Sequence, residues 1–243
     1  MQITRNLSRS GFRNLRILDL GCGEGVYAIE AGMLGAHVLA IDGRPERMAN
    51  GMRIADELGL TNVRFAQDDV RKISRAELGE FDVIYFLGLL YHLNVPEVFF
   101  VLEKVYEMCH NFVIIDTHVA LEASLRVTHR NADYFGAQYK EHDEGDSLEL
   151  KASRQLSSLD NAQSFWFTKE SLNRLLFNTG FTVVLECYVP FEPHKSNEAK
   201  NAPSLASDRV TLVAVKGPQA RISSYPWVNG LSEEEIAEIL VNK

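Results

Sequence analysis

The stretch Ile17-Leu18-Asp19-Leu20-Gly21-Cys22-Gly23-Glu24-Gly25 is an apolar run passing into a glycine-rich turn, after which a helix is expected to open near Glu24. Glycine accepts left-handed backbone and lets a ligand lie against the main chain, so a parallel α/β sheet binds small molecules at a strand, turn and helix of this kind. An acid precedes the glycines, which run Gly-x-Gly-x-Gly, and Glu24 stands at the expected helix start. A dinucleotide pyrophosphate needs that helix end free of negative charge, and Val26 occupies the last glycine position of the dinucleotide fingerprint. The turn therefore suits a nucleoside without phosphates, carrying a cationic end that Asp19 can face, and ranks a nicotinamide-dependent dehydrogenase behind it.

Outward from this turn, short apolar runs alternate with helix-period segments from Leu15 to Val119, the rhythm of successive βα units around a parallel sheet. Strands are predicted at Arg16–Leu20, His37–Ile41, Val63–Gln67, Phe81–Leu87 and Phe112–Asp116. Arg44 to Leu60 has Pro45 at a first helical position, Met48, Met52, Ala55 and Leu58 at helical spacing, and Gly59 as a stop. Pro96 to Cys109 repeats the arrangement with Phe99, Leu102, Val105 and Tyr106. Beyond Val119 the rhythm stops. Residues 131–160 hold seven acidic residues against three basic ones, a net −4, and 120–167 reads as a lid or substrate insertion. Thr168 is the expected N-cap of a helix with Leu172, Leu175 and Leu176 on one face and Gly180 as its stop. Strands are then expected at Thr182–Val189 and Arg209–Lys216, with Phe191–Asp208 looping between them and Ser232 with Glu235 forming a capping box. The chain is read as one domain over 1–243: a cofactor-binding half at 15–119, the lid at 120–167, a closing helix and strands at 168–217, and a tail at 218–243.

Asp42 ends the second predicted strand, about 20 residues past the first glycine, where a carboxylate accepts from both hydroxyls of a ribose. Asp68-Asp69 closes the third, where an acid can accept from the amino group of an adenine. Asp-x-Gly-x-Gly-x-Gly, Val38-x-x-Ile41-Asp42 and the acid after strand three together resemble class I S-adenosylmethionine-dependent methyltransferases over roughly residues 15–119. The resemblance implies a Rossmann-like seven-stranded α/β sheet of order 3-2-1-4-5-7-6, its antiparallel seventh strand supplied by Arg209–Lys216. It also implies S-adenosyl-L-methionine as cofactor, with Gly21 and Gly23 at the methionine part, Asp42 at the ribose and Asp69 at the adenine. Asp19, Cys22, Gly43, Val70 and Leu87 are the further cofactor-binding positions.

In this fold the carboxyl end of strand four meets the transferred group. Leu-Gly-Leu-Leu-Tyr-His-Leu at 87–93, with Ser-Phe-Trp-Phe-Thr-Lys-Glu-Ser-Leu at 164–172, is similar to a subgroup that includes the enzymes carboxymethylating the wobble uridine of tRNA. Those enzymes carry an extra amino-terminal domain, which a first strand near Arg16 leaves no room for, and an acidic lid is a poor phosphate surface. A small molecule is thus the expected methyl acceptor and tRNA wobble-base modification the alternative. Methyl transfer needs the acceptor positioned and, for a hydroxyl or amine, a proton removed. His92 is the leading base, since imidazole ordinarily titrates near neutrality, with Tyr91 beside it and Asp116 and His118 behind; a histidine bonded to backbone to hold the loop is the alternative for His92. Tyr134, Phe135, Tyr139, Phe165, Trp166 and Phe167 either wall an aromatic acceptor pocket or pack the lid onto the sheet. His118, His129, His142 and His194 lack ligand spacing, so no metal site is expected.

Composition excludes other classes. With 243 residues, 46% hydrophobic and 24% charged, the chain is globular rather than disordered. Lys+Arg 25 against Asp+Glu 33, net −8, rules out a general nucleic-acid coat. Cys22, Cys109 and Cys187 include no CxxC pair, indicating neither a zinc knuckle nor a disulfide framework. Arg5, Arg9, Arg13 and Arg16 mark a solvated lead-in arm rather than a secretory signal, and no apolar run reaches membrane length. The chain is read as cytoplasmic and off the membrane, with an exposed strand edge and Tyr225-Pro226-Trp227 as a candidate homodimer surface. The expected function is S-adenosylmethionine-dependent methyl transfer to oxygen, nitrogen or carbon of a small molecule. A non-catalytic nucleoside-binding scaffold is the alternative from another class.

Overall fold

Alternation along β4 (Phe81–Leu87) shows how the layers are built: Val83 and Tyr85 point to one apolar cluster, Ile84 and Phe86 to the other. A strand buried on both faces belongs at the centre of a sheet covered by helices. The computed structural model describes residues 1–8, 11–187 and 208–217. Ahead of β4 come α1 (Gln2–Leu7), β1 (Arg16–Leu20), α2 (Val26–Met33), β2 (His37–Asp42), α3 (Pro45–Glu57), β3 (Val63–Gln67) and α4 (Arg75–Leu78). After it follow a 3-10 turn at Leu90–His92, then α5 (Glu97–Met108), β5 (Cys109–His118), β6 (Leu125–His129), β7 (Ala132–Lys140), α6 (Leu148–Ser153), β8 (Gln163–Phe167), α7 (Lys169–Thr179), β9 (Val183–Glu186) and β10 (Arg209–Val215).

The main sheet runs β3-β2-β1-β4-β5-β10-β9. Strands β1 to β5 pair in parallel, and β10 lies antiparallel between β5 and β9. The order differs from the expected 3-2-1-4-5-7-6 only in chain numbering: residues 120–167 contribute three strands of their own, so the chain's ninth and tenth strands stand in the places of the sheet's sixth and seventh. Strands β6, β7 and β8 form a separate antiparallel sheet within the 120–167 segment, which was read as a lid or substrate insertion. Arg130 and Asn131, both with positive φ, make the two-residue hairpin between β6 and β7, a turn normally signalled by glycine.

The arginine-rich lead-in is corrected. Met1, Ile3 and Leu7 of the amino-terminal segment pack against the cluster beneath β1 and β4, and Thr4 is fully buried with its hydroxyl 2.9 Å from the Tyr85 hydroxyl. Ile3 and Leu7 stand one helical turn apart, a spacing obscured by the charged residues around them. The expected 191–207 loop, the Tyr225-Pro226-Trp227 tail and the Ser232/Glu235 capping box lie outside the described residues. Among the described residues no helix is long and apolar enough to cross a membrane.

Helix α3 crosses the glycine turn at contact distance. A Cβ at Gly51 would lie 2.1 Å from the Glu24 carbonyl oxygen, so backbone meets backbone there. Gly51→Ala is expected to push α3 off the turn and cost about 1–3 kcal/mol, as overpacking does elsewhere. Thermal denaturation would read this as a Tm several degrees lower, and an unchanged Tm would mean that the helix shifts at no cost.

Candidate active site

Beyond the carboxyl ends of β1 to β4 lies a cleft of about 360 Å³, within the range of small-molecule sites. Of the expected cofactor positions, Gly21, Asp42, Gly43, Asp69 and Val70 line it, as do Tyr91 and His92. Asp19, Cys22, Gly23 and Leu87 do not. Gly21, Gly23 and Gly25 all have positive φ, which gives the turn its shape, and the Gly21 and Cys22 N–H groups donate to the Ile41 carbonyl at 2.8 and 3.0 Å. The turn is thereby fastened to the end of β2.

Asp42 sits at the junction. Its Oδ2 accepts from the Gly23 N–H at 2.9 Å and its Oδ1 from the Arg44 N–H at 2.8 Å, leaving lone pairs on both oxygens for ligand hydroxyls. Asp19 lies beneath the turn, 2% exposed, and its Oδ2 is buried with no hydrogen-bond partner among the described residues. Burial, and then the charge of Asp42, push its carboxyl up to about 7. A buried acceptor without a donor is costly, and a cationic ligand group brought against it would relieve that cost. Burial also raises the Cys22 thiol well above its ordinary range, which leaves it a poor nucleophile.

Asp69 lines the cleft but is already paired. Arg71 Nε and Nη2 already grip its carboxylate at 2.7–3.1 Å, and Arg71 also reaches Asp160 at 2.8 and 2.9 Å. Partial burial pulls the other way, but the Arg71 hydrogen bonds hold the Asp69 carboxyl below the usual range. An adenine amino group would have to share this acid with a guanidinium.

The turn carrying Tyr91 and His92 is clamped from the small sheet. Trp166 Nε1 donates to the Tyr91 carbonyl at 2.9 Å, Asn161 Nδ2 to the His92 carbonyl at 3.1 Å, and the Phe165 N–H to the Leu93 carbonyl at 2.9 Å. His92 Nδ1 lies 2.8 Å from Oε1 of Glu141, whose side chain is 1% exposed. Burial alone would raise the Glu141 carboxyl, but hydrogen bonds from His92 and from the Ser158 N–H hold it below the usual carboxylate range. Glu141 was legible in the sequence only as one acid among seven.

The other base candidates are committed elsewhere. Asp116 accepts from Arg209 Nε at 2.7 Å and Thr211 Oγ1 at 2.8 Å, while His118 stacks on Trp166; neither lines the cleft. Of the two readings of the aromatic residues, packing is the one observed. Tyr134, Phe165 and Phe167 are buried in the core, Phe135 and Tyr139 are exposed, and none of the six expected aromatics faces the cleft. Gln155 to Leu159 and Asn161 form the wall of the cleft instead. They are held by Arg44, whose buried Nη2 donates to the carbonyls of Arg154, Ser157 and Ser158 at 3.3, 3.1 and 2.7 Å. His129 bonds Glu103 and His142 bonds the Ser158 carbonyl. His194 lies outside the described residues, among which no group of three or more His, Cys, Asp or Glu is placed to hold a metal ion.

Residues 17–111 match the family described as "Methyltransferase domain". The ubiquinone biosynthesis O-methyltransferase of Acinetobacter baumannii is 29% identical over 86 residues, 35% of this chain and 36% of that protein. The protein of the same name from Maricaulis maris is 32% identical over 90 residues, 37% of this chain and 35% of that protein. The chain thus spans little more than a third of the length of these curated relatives. The N-terminal domain of EvdMO1, solved in the presence of S-adenosylhomocysteine and D-fucose, has a TM-score of 0.65 at 22% identity, covering 84% of this chain and 76% of that one. Magnesium protoporphyrin IX methyltransferase of Synechocystis PCC 6803 with bound S-adenosylhomocysteine has a TM-score of 0.53 at 16% identity, covering 85% and 76%. Family match and structural likeness agree on the fold, an α/β Rossmann-like methyltransferase fold with a mostly parallel central sheet.

Proposed function

We propose that this chain is an S-adenosylmethionine-dependent methyltransferase acting on a hydroxyl group of a small molecule, with His92 as the base. The observation that carries the reading is the cleft at the glycine turn, where Asp42 keeps lone pairs on both oxygens, with Asp19 buried beneath the turn and its Oδ2 without a partner among the described residues, which suits the cationic end of such a cofactor. Asp42 would take the ribose hydroxyls on its remaining lone pairs, Gly21 and Gly43 would give the close approach, and Val70 would lie along the adenine. S-adenosylmethionine, when bound, would supply an activated methyl, the acceptor O–C bond forming as the C–S bond breaks with its electron pair left on sulfur. His92, at the cleft beside the end of β4, would receive the acceptor proton. The 120–167 segment would serve as a lid through its 155–161 wall, and its acidic surplus favours a small acceptor over tRNA. The curated relatives are named as O-methyltransferases, which is in keeping with an oxygen acceptor.

Calorimetric titration with S-adenosylmethionine, S-adenosylhomocysteine and NAD tests the reading. Binding of the first two alone is expected, and binding of NAD alone, or of none, would overturn it. Asp42→Ala is expected to weaken S-adenosylhomocysteine about 10- to 100-fold through lost charge-assisted bonds. An unchanged affinity would remove the ribose from Asp42.

A further inference from the structure

We propose that Glu141 is the positioning residue of the acceptor base, holding His92 as the Nδ1–H tautomer with Nε2 presented to the cleft, and so fitting the site to an acceptor that gives up a proton. This deepens, and rests on, the reading of His92 as base.

An ionised carboxylate can only accept, so the 2.8 Å contact from Glu141 Oε1 requires that His92 Nδ1 donate. In the neutral ring the lone pair then falls on Nε2, which has no hydrogen-bond partner among the described residues, on a side chain that lines the cleft. The second oxygen, Oε2, accepts from the Ser158 N–H at 2.8 Å, in the segment that walls the cleft.

Two other duties for this carboxylate are already covered. The register where β7 runs into β8 is kept by the main chain, since the Glu141 and His142 N–H groups both donate to the Ala162 carbonyl. The turn bearing His92 is held by Trp166, Asn161 and the Phe165 N–H, none of which involves Glu141. A carboxylate 1% exposed is costly without a specific return; Oε2 serves the Ser158 N–H, and what Oε1 adds is the orientation and charge balance of one imidazole. The acceptor O–H proton passes to Nε2 as the O–C bond forms, and the imidazolium is then paired with Glu141, which takes no proton itself. An acceptor with no proton to lose would make no use of this pair.

The test is ¹⁵N NMR of the full chain labelled at histidine, with S-adenosylhomocysteine added, the His92 signals being assigned by their absence in His92→Gln. The wild type is expected to show a protonated, deshielded Nδ1 and an unprotonated Nε2 in the neutral ring. In Glu141→Gln, whose amide oxygen still accepts, the tautomer is kept while the Nδ1–H proton moves upfield. In Glu141→Leu the preference for that tautomer is lost. A wild-type Nε2–H tautomer would overturn the proposal whether or not either variant folds, and so would spectra identical in wild type and Glu141→Leu. Failure of the underlying reading is seen separately: no S-adenosylhomocysteine binding, or methyl transfer to catechol as fast in His92→Gln as in wild type, overturns the base whatever the spectra show.

Discussion

Asp19→Asn is expected to make the ligand-free protein more stable at pH 8 than the wild type, and to weaken S-adenosylhomocysteine by about 10-fold or more. Burial first, and Asp42 second, raise the Asp19 carboxyl from 3.8 to about 7 in the folded chain. Between those two values the folded state holds a proton that the unfolded state has released. The benefit of the protonated group is therefore complete at pH below 3.8 and is lost as pH rises through about 7. The full loss is on the order of 4 kcal/mol, the free-energy equivalent of that shift. Asparagine never ionises, so its stability curve lacks this slope and crosses above the wild type at alkaline pH. Binding runs the other way: the wild type needs Asp19 ionised to receive a cation, so its affinity is expected to rise with pH through about 7. Calorimetric scans at pH 5 and pH 8, with and without S-adenosylhomocysteine, separate the two effects. A variant less stable than wild type at pH 8 would mean that Asp19 already has a partner in the free protein.

That the site keeps an unfavourable acid explains how it could be found from the sequence. Asp19, the glycines and Asp42 obey local rules: an acid before the turn, positive φ inside it, an acid one strand later. Each could be placed by counting along βα units whose apolar period is plain. The pairing of Asp69 with Arg71 was also within reach, because the two stand two residues apart, yet a strand-end acid is read first as a ligand for something outside the chain.

The rest depends on contacts that no local pattern encodes. Glu141 meets His92 across 49 residues, and Arg44 meets Ser158 across 114. Strands β6 and β7 contain arginine, aspartate and glycine, and their hairpin is made by Arg130 and Asn131 rather than by a glycine pair. For the aromatic residues of β8 the sequence left both a pocket wall and lid packing open, because ring chemistry alone does not say which way a strand faces. Phe165 and Phe167 share the inward side, and Trp166 between them turns its indole to the Tyr91 carbonyl.

Arg44→Met is expected to release residues 154–158 from the cleft and to cost about 2–5 kcal/mol. Arg44 is buried, and one nitrogen serves three carbonyls of a segment that has little regular structure of its own. Burial pushes the guanidinium below its ordinary value, with Asp42 acting in the opposite direction. Methionine keeps most of the apolar stem, so the change removes the donors with little loss of packing. Replacing a buried charge by an apolar group is often neutral when both partners go, but here the acceptors remain as main-chain carbonyls turned inward. Glu141 still holds the Ser158 N–H, so the segment is expected to open at its Arg154 end first. Trypsin cleavage after Arg154, followed by mass spectrometry, would then accelerate in the variant and be slowed by S-adenosylhomocysteine, while Arg44→Lys, a single point donor, falls between the two. Equal cleavage and equal Tm in wild type and Arg44→Met would show that the wall of the cleft stands without its arginine, on the contacts that Glu141 and His142 make with Ser158.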